Sequence, residues 1–304
     1  MPTLRGIIRE PPYGGNVEGP RMDRKTGSFA SEGRIMGKLT DRFIVKPRSK
    51  LRLKDRDPDN TEGFGKKEAL RLLQENLDKL RALQHLLYAE SKRAVLVILQ
   101  AMDAGGKDGT IRHVLGPLNP QGVKVVSFKA PTEEELSHDF LWRIHPYAPA
   151  TGEIRVFNRS HYEDVLIVRV RKLVPKSVWS KRYSHINSFE KLLADSGVTV
   201  LKFFLHVSKK EQLERLKARL DDPTKHWKAN PKDFEERSFW GDYMDAYEAA
   251  LNRCSTKQAP WFVVPADKKW FRNLAISQIL LDTLESLDMK FPEAECDIDS
   301  IVVK

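Results

Sequence analysis

The chain of 304 residues is long enough to bury a full core as one large domain or two small ones. Its composition, 40% hydrophobic and 31% charged, is that of an ordinary globular protein, and no run approaches the roughly 18 consecutive apolar residues of a membrane span. The formal net charge of +10 raises the local concentration of anions, which suits nucleic acid, an anionic membrane or inorganic polyphosphate, and equally a solvated basic surface with no partner.

Residues 1–40 are rich in Gly, Pro and Arg without an apolar period and read as a flexible extension. They open on "MPTLRGIIREPPYGG", which lacks the basic-then-apolar order of a secretion signal. In "TEGFGKKEALRLLQENLDKLRALQHLLYAE", Leu73, Leu77, Leu80, Leu83 and Leu87 recur at helical spacing, so one face should pack on a core. "RAVLVILQ" follows, a continuous apolar run that fits a strand buried on both faces. "VKVVSF", "EIRVFN", "TVLKFFLHV" and "PWFVVPA" are of the same type, and helical stretches such as "TEEELSHDFLWRIH" and "NSFEKLLADSG" separate most of them. Five strands alternating with helices predict a parallel sheet covered on both faces.

Before the last strand, residues 208–254 form a highly charged helical excursion with breaks at Asp222-Pro223 and Asn230-Pro231. A parallel crossover needs only about a dozen residues, so the excess predicts a helical lid over a site. Trp227, Trp240 and Trp261 are expected to pack in the core or lid rather than stack on a base. Cys254 and Cys296 have no metal-ligand spacing and read as reduced thiols of a cytoplasmic protein. The expected division is an extension over 1–40, one domain over 41–290 and a tail over 291–304.

The chemistry gathers where "AVLVILQ" runs into "AMDAGGKDGT". A strand, a glycine turn and a helix N-terminus make an anion site, because free N–H groups point outward and the helix dipole adds positive potential. Gly105 and Gly106 permit close backbone approach, Lys107 supplies a cation, and Ala104, Gly109 and Thr110 complete the candidate phosphate-binding stretch. Against the pattern G-x-x-x-x-G-K-[ST], however, the first glycine falls on Ala101 and the metal-binding hydroxyl on Asp108. Asp103 also lies inside the loop. Beside phosphates a carboxylate is repelled unless a divalent cation lies between them, and Mg²⁺ binds one or two carboxylates plus phosphate oxygens. Asp103 is therefore a candidate metal ligand, with a structural role as the alternative. Asp108 reads as a cap for the following helix, with metal ligation as the alternative.

A second constellation is "VFNRSHYEDVLIVRV". Asn158, Arg159 and Ser160 stand at the carboxyl end of a predicted strand, the edge where open parallel sheets bind ligands. Arg159 can pair bidentately with phosphate oxygens. His161, Tyr162, Glu163 and Asp164 are near enough in sequence to touch a nucleotide, or to serve as scaffold.

Together with "NPQGVKVVSFKAPTEEELSHDFLWR", "LKFFLHVSKKEQ" and "STKQAPWFVVPADKKW", these stretches resemble the polyphosphate kinase 2 family, in particular its class III branch, from about Arg42 to about Met289. The resemblance implies an α/β, P-loop nucleotide-kinase-like fold, with its five-stranded parallel sheet flanked by helices and a helical lid. It implies a transferase that uses Mg²⁺, with Mn²⁺ as an alternative, to move the terminal phosphoryl of inorganic polyphosphate to a nucleotide. The family's loop has the form of "DAGGKD", with an acid where Asp103 stands and a lysine where Lys107 stands. Other branches begin the second motif Asp-Arg-Ser. Asn158 here argues against a metal ligand at that position and favours the branch associated with AMP as well as ADP as acceptors.

On this resemblance Lys107 and the loop amides would hold the reacting phosphates, Asp103 the metal, and Arg159 the transferred group. Arg169, Arg215 and Arg219 would line the polyphosphate path or close over it. Guanine nucleotides are further candidate acceptors and a homo-oligomer is left open, whereas neither nucleic acid nor a membrane is expected as partner. Two rivals remain: an ATP-dependent nucleoside monophosphate kinase, and a protein that binds polyanions without catalysis. For the second, no RNA-binding aromatic motif, zinc pattern or recognition helix is legible.

Overall fold

The computed structural model describes residues 39–298 and residue 301. The extension expected over residues 1–40 thus lies outside the described residues, apart from its last two positions. The strands are β1 (Ile44–Val45), β2 (Ala94–Gln100), β3 (Val123–Ser127), β4 (Ile154–Asn158), β5 (Val198–His206) and β6 (Trp261–Pro265). They form one sheet in the order β1-β6-β5-β2-β4-β3. β2 to β6 are the five strands expected from the sequence, and every pairing among them is parallel. The count itself needs correcting to six, because β1 adds antiparallel to β6 at one edge. Two residues are too few to carry a period, so sequence alone gave no sign of this strand.

Helices α1 (Lys66–Glu90), α2 (Lys107–Thr110), α3 (Glu133–Ser137), α4 (Ile167–Val170), α5 (Lys176–Asp195), α6 (Lys209–Leu220), α7 (Pro231–Glu236), α8 (Trp240–Cys254) and α9 (Lys269–Ser286) connect the strands. Every residue of β2 and of β6 is buried, as a strand covered on both faces requires. Leu73, Leu77, Leu80 and Leu87 of α1 turn inward, and α1 packs along α9, whose own middle is almost wholly buried. Among the described residues no helix is long and apolar enough to cross a membrane.

Two expectations change. "TEEELSHDFLWRIH" gives only the five residues of α3, started by a Thr132–Glu135 capping box. The helix stops because Asp139 takes the Leu141 N–H at 2.9 Å, a local bond that competes with helical pairing. Trp240 packs against the core and Trp261 is buried, but Trp227 is 79% exposed, with Lys228 Nζ 4.8 Å from its ring centroid, and is not packed as expected.

The topology fixes where a ligand can bind. From β2 the chain goes out to β3, returns through β4 beside β2, and then crosses to β5 on the other side of β2. The turns after β2, β4 and β5 therefore converge at the carboxyl edge, at a switch point of the sheet. The long excursion before β6 begins there. Its breaks are helix starts: Asp222 caps the turn Pro223–Lys228 and Asn230 caps α7, each followed by proline at the first helical position.

Candidate functional site

The turn after β2 is built by its backbone. Gly106 takes φ +110°, open to glycine and costly for other residues, and Ala104 is left-handed at φ +58°. The chain then enters α2 at Lys107 and passes into a π turn over Ile111–Leu115, closed by Gly116 N–H donating to Ile111 O at 2.7 Å. A single short turn of α-helix thus presents its first amides to the sheet edge. Lys107 Nζ donates to Ala101 O at 2.9 Å, which draws the ammonium back over the loop. Burial first, and then Arg159, lower its pKa, against the pull of Asp103, Glu163 and Asp108.

Across from this loop, Arg159 leaves β4 in a left-handed conformation, φ +63°. A non-glycine residue held there stores strain, and such residues cluster at functional sites. The turn aims Arg159 back across β2, where Nη2 donates to Asp103 Oδ1 at 3.0 Å. Both side chains stay accessible, Arg159 at 43% and Asp103 at 25%. Burial works against the charge on Arg159, but Glu163 and Asp103 outweigh it and raise its pKa. Glu163 moves the other way: burial raises its pKa, against the attraction of Arg159 and Lys107. The structure thus brings Asp103, Lys107, Arg159 and Glu163 into one electrostatic unit, drawn from two strand ends 50-odd residues apart in sequence.

The remaining candidates divide by burial. Asn158 Nδ2 donates to Asp108 Oδ1 at 3.0 Å, and Lys228 from the excursion reaches Asp108 Oδ2 at 3.2 Å. Asp108 therefore does not cap α2: the cap position is Gly106, and the Asp108 carboxylate bridges the second motif to the excursion. Burial opposes its ionisation, but the bonds from Asn158 and Lys228 lower its pKa. Thr110 is fully buried, and among the described residues its Oγ1 has no partner, so it is not on the open face of the loop.

His161 and Tyr162 are likewise fully buried. Their expected contact with a nucleotide is replaced by a sealed network, in which His161 Nε2 lies 3.3 Å from Glu190 Oε1, Tyr162 Oη donates to Glu190 at 2.8 Å, and Lys202 pairs with Glu190 at 2.5 Å. Asp164 is held by Arg182 at 2.6 Å, and burial, opposed by Arg182, pushes its pKa up to about 6.

The three arginines assigned to a polyphosphate path also have fixed partners. Arg169 lies over the Trp179 ring, 4.9 Å from its centroid, and donates to Tyr183 Oη at 3.3 Å. Arg219 pairs with Asp233 at 3.0 Å inside the excursion. Arg215 is buried, and its Nη1 donates to Ala104 O and Gly105 O at 3.2 Å each while Nη2 donates to Ala266 O at 2.6 Å and Asp267 O at 3.0 Å. It braces the loop from behind; it does not line an open track.

Sequence reasoning passed over Gln212, which donates to Asp103 O at 2.9 Å, and Lys228. A signal for Gln212 existed: together with Arg215 and Leu216 it falls on one face of an otherwise charged helix, and that face is the buried one.

Residues 64–292 match the family described as Polyphosphate kinase 2. The chain is 54% identical over 265 residues to the AMP/ADP-polyphosphate phosphotransferase of Meiothermus ruber, covering 86% of this chain and 99% of that protein. It is 51% identical over 234 residues to the ADP-polyphosphate phosphotransferase of Rhodopseudomonas palustris, covering 73% and 81% respectively. Among solved structures, the crystal structure of polyphosphate kinase 2 from Arthrobacter aurescens TC1 superposes with a TM-score of 0.81 at 46% identity, over 84% of this chain and 95% of that one. With its loop, second motif and sheet order on the same scaffold, the chain belongs to the polyphosphate kinase 2 family.

Proposed function

We propose that this chain is an enzyme that transfers the terminal phosphoryl of inorganic polyphosphate to AMP and to ADP. The observation that carries the reading is the 3.0 Å meeting of Arg159 and Asp103 across the ends of two strands, beside Lys107 and the loop amides. Phosphoryl transfer asks chiefly for positioning and for stabilisation of charge on the transferred group. The 54% identical relative named for AMP and ADP is matched over 99% of its length, which supports both acceptors. Neither the ATP-dependent kinase nor the non-catalytic polyanion binder is favoured by any of these relatives.

Mg²⁺ fits the donor set. It uses one or two carboxylates and fills its shell with phosphate oxygens and water, and Asp103 offers an accessible carboxylate at the loop. Among the described residues no group of three acids, histidines or cysteines gathers into a cage, so substrate oxygens would have to supply the rest. When bound, the ion would neutralise charge on the reacting phosphates; Mn²⁺ has the same preference for oxygen. Lys107 would leave Ala101 O for a phosphate oxygen, and Arg159 would steady the transferred group while Glu163 and Asp103 keep its guanidinium in place. Residues 208–254 would act as the lid, with Lys228 and Asp108 as its outer contact to the loop beyond those of Gln212 and Arg215. Guanine nucleotides are proposed as secondary acceptors.

The test is incubation with Mg²⁺, long-chain polyphosphate and each of AMP, ADP, GMP and GDP, with the products resolved. Formation of ADP and ATP is expected. Activity with ADP alone would withdraw AMP as acceptor, and phosphorylation from ATP only would transfer the site to the rival kinase.

A further inference from the structure

Arg272, in the first turn of α9, is 2% exposed. It lies directly under the loop: a Cβ on Gly106 would stand 1.9 Å from its Nη1, and one on Gly109 3.1 Å from its Nη2. The first distance excludes any side chain at 106 while the guanidinium is there. Nε and Nη2 donate to the neighbouring Asn273 Oδ1 at 3.2 and 2.9 Å. Among the described residues Arg272 has no ion pair; the charged group that acts on it is another cation, Arg215. Burial, then Arg215, hold its pKa down to about 9. Lys269 is depressed in the same way, by burial and then by Arg215, against Glu211, with Arg272 adding to the effect.

An uncompensated buried cation is costly, and removing its partner is among the more damaging changes a core can suffer. Arg215 shows how such a charge is normally settled, since its Nε pairs with Glu211 at 2.7 Å and its terminal nitrogens go to four carbonyls. Arg272 has no such outlet. Its neighbours on α9, Phe271, Leu274 and Ala275, show that the position could be filled by an aliphatic chain if packing were all it did.

We propose that Arg272 is a positioning residue for substrate phosphate: a fixed positive charge seated behind Gly106 and Gly109, whose absent counter-ion is the condensed phosphate bound on the far side of the loop. It acts through the loop without touching the substrate. Its field adds to that of the free amides, and the low dielectric of its surroundings keeps that field from being screened. This rests on reading the loop as the phosphate site.

The test compares Arg272→Met and Arg272→Lys with the unaltered protein, using sodium tripolyphosphate as probe, by titration calorimetry and by thermal melts with and without the anion. Methionine keeps an unbranched apolar stem that ends short of the guanidinium, and it removes the charge. Arg272→Met is expected to melt no lower than the unaltered protein without anion, because an unpaired buried charge has gone. Its Kd for tripolyphosphate should weaken about tenfold or more, the scale of one poorly screened charge acting through the thickness of the loop. Arg272→Lys should keep most of the affinity. The proposal is overturned if Arg272→Met is unfolded, if it folds and its Kd stays unchanged, or if Arg272→Lys loses as much affinity as Arg272→Met, which would tie the effect to shape. Binding is read without turnover, so the two readings separate: a protein that shows this pattern but accepts only ATP as donor loses the polyphosphate assignment and keeps Arg272 in its role.

Discussion

Two clusters of paired charges lie within one turn of chain of each other, and only one of them is at the candidate site. Above the turn after β4, Asp103, Arg159 and Lys107 are partly open to solvent. Below it, Glu190 and Lys202 are sealed at 1% and 0% exposure, with Tyr162 and His161 completing their bonds and Lys202 also donating to Cys254 O at 2.6 Å. Residues 158–164 connect the two, and their 3-10 turn sends Glu163 upward while Tyr162 and His161 go down. Charge alone therefore does not mark a site. The lower cluster satisfies its own charges and holds the motif in place; the upper one keeps its charge available.

The sharpest way to break this comparison is to disable the lower cluster. Lys202→Met leaves Glu190 buried without its cation, and such a loss costs about 3–5 kcal/mol. Urea denaturation should show it, and the double change with Glu190→Gln should restore much of the stability, since a neutral pair leaves no naked charge. A drop below about 1 kcal/mol in the single variant would mean that the pair is no better than a surface ion pair. Lys107→Met should do the opposite, leaving the melting temperature in place while kcat falls about 10²–10³-fold, as for the loss of one preorganised charge-stabilising group. Near-normal turnover would remove the loop from the chemistry.

Acid separates the clusters next. Burial resists ionisation of Glu190, but Lys202 and His161 prevail and its pKa lies below the usual 4.5. A depressed carboxylate gives stability that is present above its unfolded pKa and is lost as pH falls through the folded value. Stability of the unaltered protein should therefore decline more steeply below pH 4.5 than that of Glu190→Gln, which has no proton to take up at that site. Parallel acid curves for the two proteins would refute the assignment.

The smallest effects distinguish the two loop acids. Asp103→Asn should lose most activity at low Mg²⁺, because an amide is a poor ligand for a hard cation. Asp108→Asn removes the exposed pair with Lys228 and keeps a partner for Asn158, so it should cost a few tenths of a kcal/mol, about the value of a surface pair, and leave the Mg²⁺ titration alone. A shifted Mg²⁺ requirement in Asp108→Asn alone would exchange the roles of the two carboxylates.

The sheet and the loop were legible because their signals are local. Continuous apolar runs gave all five parallel strands, and the glycines with Lys107 gave the loop. Direction was less legible. Four consecutive residues, His161 to Asp164, look equivalent as a string, yet a tight turn divides them between the site and the interior. Arg215, expected to line the polyphosphate path or close over it, is buried by tertiary contacts with carbonyls of two distant turns. Arg272 carried a usable sign, a cation among the buried positions of a largely apolar helix, but what it serves depends on the loop it meets in space.

Those carbonyl contacts of Arg215 have a mechanical consequence. One guanidinium rivets the root of α6 to the turn after β2 and to the end of β6, and Gln212 adds a second fastening on the same face. The excursion is thus a cantilever, clamped at 212–215 and tied farther out by Lys228 to Asp108 and by Arg171 to Glu235 at 2.6 Å. As the proposed lid, it would open by releasing those outer ties and bending beyond Leu220, where proline and capping residues already interrupt the helix, while the clamped root and the loop would move as one piece.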